Sequence, residues 1–294
     1  MGVFTRGFYK GYIFLLLAAA FSWSSCNIIN PAEPEPGYFR INAIEFTSST
    51  ATQGSSSNKI EDAWVYIDEE IQGAYTMPAS FPVLESGTHN IKIRAGIYFN
   101  GIKAQRYAYP FYSIYDTTLN VVKGQEITLT PHCTYGTGLT FTLENFDNSG
   151  GIIFDTTSYS LAPIDITTDA AEVFEGSGSA EMLLDSTHGI VDITTTTLAL
   201  PTLGSNRTIV ELNYRNSLPL QVGIVAMGTG YSPDPRMSIV VLNPTNDWNK
   251  IYIEISNALK GANTTSFKIY FQSQLQDLNT PGWVYLDNFK VIYN

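Results

Sequence analysis

The sequence predicts an all-β protein built from two sandwich-like units, and three observations predict it. Short segments rich in Val, Ile, Thr, Tyr and Phe recur along the chain, the composition of pleated, half-buried strands. Clusters of Gly, Pro, Asn and Asp punctuate them as turns. No segment sustains the 3.6-residue apolar period of an amphipathic helix. The chain has 294 residues, enough for two domains of ordinary size, each with its own core.

Arg6 and Lys10 give the N-terminus a short positive region, and Ile13 to Phe21 is an apolar run too short to span a bilayer as a helix. Ser24 and Ser25 lead directly into Cys26. The pattern resembles the lipobox of bacterial lipoproteins, with Trp23 where leucine is usual. That resemblance implies a signal peptide over residues 1–25 and acylation of Cys26, which becomes the new N-terminus. Several acyl chains are what stable anchoring requires. Cys133 is then without an intrachain partner, and burial, not disulfides, must stabilise the fold.

Residues 26–37 form a Pro-rich tether, where Pro31, Pro34 and Pro36 alternate with Ala32, Glu33 and Glu35 and favour an extended chain. In lipoproteins of the Bacteroidetes group, acidic residues just after the cysteine favour surface display. The expected location is the outer membrane, on either its surface or its periplasmic side.

The first unit is expected over residues 38–135. Tyr38 to Phe46, Ala63 to Asp68, His89 to Ala95 and Gln125 to Thr130 have strand composition, and Thr50 to Asn58 is expected as a loop. Val65, Asp68, Gly73, Pro78, Gly87 and His89 are ordered as in PEGA-type modules. This resemblance spans residues 63–96 and implies a small Ig- or PEGA-like β-sandwich without activity.

Gly136 and Gly138 mark a boundary, and residues 136–294 form the second unit. Its clearest strands are Thr208 to Tyr214, Leu220 to Met227, Lys250 to Ser256, Ser266 to Ser273 and Val284 to Ile292. Residues Asn257 to Asn263 read as a short turn. Leu143 to Asp147, Val173 to Leu184 with its Gly-Ser turn, the Trp-led Asp247 to Tyr252 and the late Val284 to Val291 are ordered features. Together they resemble the galactose-binding-like jelly rolls that include many carbohydrate-binding modules. In that family a structural Ca²⁺ sits where the first strand, the Gly-Ser turn and the last strand meet. The resemblance makes Asp147, Gly176, Ser179 and Asp287 its candidate ligands, since Ca²⁺ takes hard oxygen donors. The same residues are equally read as turn and edge groups that hydrogen-bond locally.

Period-2 alternation divides each strand into two faces. It places Val210, Leu212 and Tyr214 opposite Glu211 and Asn213, and the isoleucines 251, 253 and 255 opposite Tyr252 and Glu254. It also places Phe267, Ile269 and Phe271 opposite Lys268, Tyr270 and Gln272. If these strands are neighbours, Glu211, Asn213, Tyr252, Glu254, Lys268, Tyr270 and Gln272 make one polar, aromatic-dotted face suited to sugars. Singly, each is also an ordinary solvated residue. Tyr231, in the loop of residues 228–236, is an eighth candidate at a rim. Trp248 and Trp283 are expected in core or strand-end packing.

Much chemistry is excluded. The net charge of −11 and the absence of a basic patch argue against nucleic acid. His89, His132 and His188 lack the spacing of a transition-metal site, and no G-x-S-x-G elbow occurs. The Gly176 to Gly178 run opens no helix, so it is not a phosphate loop. The expectation is a tethered, non-enzymatic lipoprotein, with the membrane as partner through its lipid and a glycan bound by its second unit. A structural or protein-interaction role in the envelope is the alternative. A glycoside-active enzyme is the third reading and would need two carboxylates in one cleft.

Overall fold

In the computed structural model, residues 35–148, 151–199, 207–262 and 264–294 are described. The signal-peptide, Cys26 and most of the tether expectations lie outside them. The described chain is all-β, with two short helices, α1 (Thr50–Gln53) and α2 (Ser256–Gly261). None of its helices is long and apolar enough to cross a membrane.

The first unit contains β1 (Gly37–Ile41), β2 (Glu45–Thr47), β3 (Asp62–Ile67), β4 (Glu70–Thr76), β5 (Ala79–Val83), β6 (Gly87–Tyr98), β7 (Arg106–Ala108), β8 (Tyr115–Val121), β9 (Glu126–Leu129) and β10 (His132–Thr134). β1 lies between β5 and β9, and β2 pairs in parallel with β10. The largest sheet runs β4-β3-β6, and the long β6 pairs β8 along its first half and β7 at its end. Alternation holds where one face is buried: Val65 and Ile67 on β3 and Ile91, Ile93 and Ala95 on β6 point into the core. The 38–46 segment divides into β1 and β2, and α1 occupies part of the expected 50–58 loop.

The second unit contains β11 (Thr140–Glu144), β12 (Phe154–Thr156), β13 (Asp165–Thr167), β14 (Ser179–Leu184), β15 (Ile190–Thr195), β16 (Leu198–Ala199), β17 (Thr208–Asn216), β18 (Leu220–Met227), β19 (Arg236–Leu242), β20 (Thr245–Glu254), β21 (Ser266–Gln274) and β22 (Gly282–Tyr293). They form two facing antiparallel sheets. One runs β13-β14-β22-β17-β20 with β11 also on β22, and the other runs β12-β15-β21-β18-β19 with β16 also on β21. Val210 and Leu212, Ile251 and Ile253, and Phe267, Ile269 and Phe271 fill the space between. The in/out pattern of these strands is therefore as expected, but β17 and β20 belong to one sheet and β21 to the other.

The outer face of the β17–β20 sheet is covered by the first unit. Ile209, Tyr252 and Ile292 join the first unit's apolar core. The isolated bridge between Phe99 and Tyr252 and the Asn100 N–H to Tyr252 carbonyl bond of 2.8 Å tie the β6–β7 turn to β20. The outer face of the β15–β21–β18–β19 sheet is left to the solvent side.

Candidate functional site

The expected single sugar face is divided by this topology. Glu211, on the covered sheet, is fully buried. Tyr109 of the first unit donates its hydroxyl to Glu211 Oε1 at 2.6 Å, and the Tyr135 hydroxyl lies 3.0 Å from both carboxylate oxygens. Lys250 makes an ion pair with it at 3.1 Å. Lys290 Nζ donates to Tyr135 at 3.2 Å and to the Ser55 carbonyl at 2.6 Å, and burial lowers its pKa to about 8. Tyr252 is buried too, its hydroxyl 3.1 Å from that of Tyr112 and accepting the Lys59 N–H at 2.9 Å. Burial pushes the pKa values of Tyr109, Tyr112, Tyr135 and Tyr252 well up, so all four keep their protons. Asn213 is buried beside a bulge. The expectation that Glu211, Asn213 and Tyr252 face a ligand is thus corrected: Glu211 and Tyr252 pack between the two units, and Asn213 is buried within its sheet. Glu254 lines a different cleft, at the junction of the units.

Lys268, Tyr270 and Gln272 lie on the open sheet. Register puts Thr194, Tyr270, Gly223 and Ser238 in one row across four strands, and Asp192, Gln272 and Gln221 in the next. A Cβ on Gly223 would collide with the Tyr270 ring and the Met237 carbonyl, so glycine is what lets the ring lie there. Gln221 Nε2 donates to the Tyr270 hydroxyl at 2.7 Å. The Arg236 guanidinium sits 4.2 Å from the ring centroid and ends in a two-pronged pair with Asp192, at 2.7 and 2.9 Å. Bidentate geometry and the cation–π contact make this a fixed arrangement. Thr157 Oγ1 donates to the same carboxylate at 2.8 Å, and Ser160 Oγ accepts the Asp192 N–H at 3.0 Å. Tyr270 is therefore a buried support for Arg236, with its ring already covered, and not the platform expected of it.

Above this layer is an open cleft of about 470 Å³. Val225, Met227, Pro233 and Pro235 supply its apolar surface, and Thr157, Tyr159, Asp234, Arg236 and Lys268 its polar surface. Tyr159 is 62% exposed. Tyr231, 74% exposed, belongs to the loop that leads into the cleft wall at Pro233. Of the eight expected ligand residues, Lys268 lines the cleft and Tyr270 supports it. Sequence reasoning missed Asp192, Arg236, Gln221 and Tyr159. Asp192 carried a signal: an acid in the middle of the strand Ile190-Val-Asp-Ile-Thr must find a cation or hydroxyl donors if its face is covered.

The four candidate Ca²⁺ ligands do gather at one corner. Asp287 is buried, and accepts Ser179 Oγ at 2.7 Å, the Glu175 N–H at 3.2 Å and the Asn288 N–H at 2.6 Å. Asp147 takes the Ser177 N–H at 2.5 Å and hydroxyl at 3.0 Å, and the Asn145 amide at 2.6 Å, beside Gly176 at φ +73°. Burial raises the Asp287 pKa to about 7. N–H and O–H donors are thus already aimed at both carboxylates, and a divalent cation would have to displace some of them. No group of three or more His, Cys, Asp or Glu among the described residues is placed to hold a metal.

Trp248 and Trp283 flank Arg215, whose guanidinium lies 5.8 and 5.0 Å from their ring centroids and 4.8 Å from that of Tyr285. Glu172 pairs with the same guanidinium. Cys133 is buried and burial pushes its thiol up to about 12, so it is an unreactive apolar group.

No protein-family model and no curated protein sequence matches the chain. Solved structures resemble it distantly. One, described as the structural basis for the promiscuous specificity of carbohydrate-binding modules from the β-sandwich superfamily, is 15% identical with a TM-score of 0.39, over 78% of this chain and 83% of that one. A second, TmCBM61 in complex with β-1,4-galactotriose, is 13% identical with a TM-score of 0.35, over 50% and 92%. The enzymatically active domain of bacteriophage CBA120 tailspike protein 4 is 13% identical with a TM-score of 0.36, over 51% of this chain and 20% of that one.

Proposed function

We propose that this chain is a glycan-binding protein whose site is the cleft on the open sheet of its second unit. The cleft carries this reading; the distant structural likenesses do not. Its apolar side, formed by Val225, Met227 and two prolines, suits the CH faces of a sugar ring, and Tyr159 adds an exposed aromatic edge. Its polar side offers a guanidinium already locked in plane, an ammonium and a carboxylate, groups that bond hydroxyls directionally. Because Asp192 and Tyr270 hold Arg236 before any ligand arrives, with Thr157 bonded to Asp192 in turn, little ordering cost is left for binding.

The role is binding, without catalysis. Both Asp192 oxygens are occupied by Arg236, and one also takes Thr157. Asp234 is then the one carboxylate among the cleft-lining residues left to act, whereas glycoside hydrolysis uses two. The N-terminal pattern around Cys26 supports the further reading that this binding protein is held to a membrane by lipid, with the Pro-rich tether between anchor and fold.

The test is a glycan array probed with the soluble chain from Gly37, natural and with Lys268→Ala or Tyr159→Ala. Saturable binding lowered at least about tenfold by either change supports the cleft. Silence from folded protein would transfer the role to envelope scaffolding or protein interaction. Anchoring is tested separately, by the mass of the mature N-terminus and its loss in Cys26→Ser.

A further inference from the structure

A second cleft is separate from the one on the open sheet. It has a volume of about 610 Å³ and lies where the β6–β7 turn of the first unit meets the end of β20, the edge strand β19 and α2 of the second. Clefts of this size at domain junctions are common ligand sites. Its walls are built, not incidental. The Asn100 N–H donates to the Tyr252 carbonyl at 2.8 Å, and Asn100 Oδ1 accepts the Glu254 N–H at 3.3 Å. Asn100 Nδ2 donates to Gln105 Oε1 at 3.1 Å, which closes the turn on itself. Phe99 is buried behind it, 5.6 Å from the ring of Tyr107, which is 49% exposed at the mouth.

The lining combines an aromatic face, planar amides and mixed charge. Tyr107 offers a ring to stack on, Asn100, Gln105 and Asn257 offer amides, and Glu254 offers a carboxylate. Lys260, exposed in the last turn of α2, brings positive charge to a cleft in a chain whose net charge is −11, and the Arg207 guanidinium lies 6.0 Å from the Phe99 ring centroid. A neutral sugar would leave that ammonium unanswered, and a bare anion would leave the ring and amides unused. A sugar carrying a carboxylate uses all of them.

We propose that this junction cleft is a second ligand site, for acidic sugars of the uronate class, with Tyr107 stacking the ring and Lys260 pairing the carboxylate. It uses none of the residues of the open-sheet cleft, so it stands or falls apart from the function proposed above. Two such sites on one rigid body would let a single chain grip a mixed neutral and acidic polymer at two points.

The experiment is isothermal titration of the purified full chain with trigalacturonate and, separately, with neutral galactotriose. The expected result is that Lys260→Glu and Tyr107→Ala each weaken trigalacturonate binding at least about tenfold, while Lys123→Ala, at an exposed charge outside both clefts, leaves it unchanged. Both altered side chains are exposed, so circular dichroism and melting temperature should match those of the natural chain. No trigalacturonate binding by folded protein would overturn the proposal. So would binding that survives both junction variants, or that falls as much with Lys123→Ala.

Discussion

Glu211 sits fully buried among two tyrosine hydroxyls, an ammonium group at 3.1 Å and a second lysine held by Tyr135. Removing one member of such a group leaves the others desolvated without a partner, a loss of about 3–5 kcal/mol. Glu211→Ala should therefore lower the unfolding free energy by about that amount, read from urea denaturation, whereas loss of an exposed acid such as Asp247 should change it little. Asp287 makes a pH prediction. Its folded pKa of about 7 lies above the 3.8 of an ordinary aspartate, so the folded state holds a proton between these values that the unfolded chain has lost. Stability contributed by this group falls as pH rises from about 4 through 7. Asp287→Asn should abolish that fall, so the variant gains on the natural protein by up to about 4 kcal/mol across the window, followed by denaturation at several pH values. Both residues were visible in the sequence as polar positions in apolar strands. What they face was not visible, because alternation says only that a side chain leaves the core of its own sandwich.

The elements were more legible than their neighbours. Thr208 to Tyr214, Leu220 to Met227 and Ser266 to Ser273 show strand composition and occur as β17, β18 and β21. Which sheet each strand joins is decided by long-range pairing, and period 2 is silent on it. That is why Glu211 and Lys268, expected on one face, lie on opposite outer surfaces of the second unit. Gly223 is where an element-level prediction is sharpest. Its missing side chain lets Tyr270 lie flat beneath Arg236, and a Cβ there meets the ring and the Met237 carbonyl. Gly223→Ala should cost about 1–3 kcal/mol through overpacking and shift the Arg236 support. Thermal denaturation would read the first effect, and weakened binding of any array-positive glycan the second.

For the whole molecule, the two units behave as one body because the first unit's core incorporates Ile209, Tyr252 and Ile292 of the second. Separating them would expose these side chains and strip Glu211 of its tyrosine partners, so calorimetry should show one unfolding transition and not two. The sequence suggested a boundary at Gly136 to Gly138 and was silent on the docking, since a polar strand face reads alike whether it meets water or another domain. The open sheet, with its locked Arg236, is the face this packing leaves free and the one proposed to take the ligand. Its most direct test is the glycan array with natural, Tyr159→Ala and Lys268→Ala chains, all shown to be folded. The account predicts saturable glycan binding that both substitutions weaken at least about tenfold. Silence across the array, or binding that neither substitution changes, would contradict it.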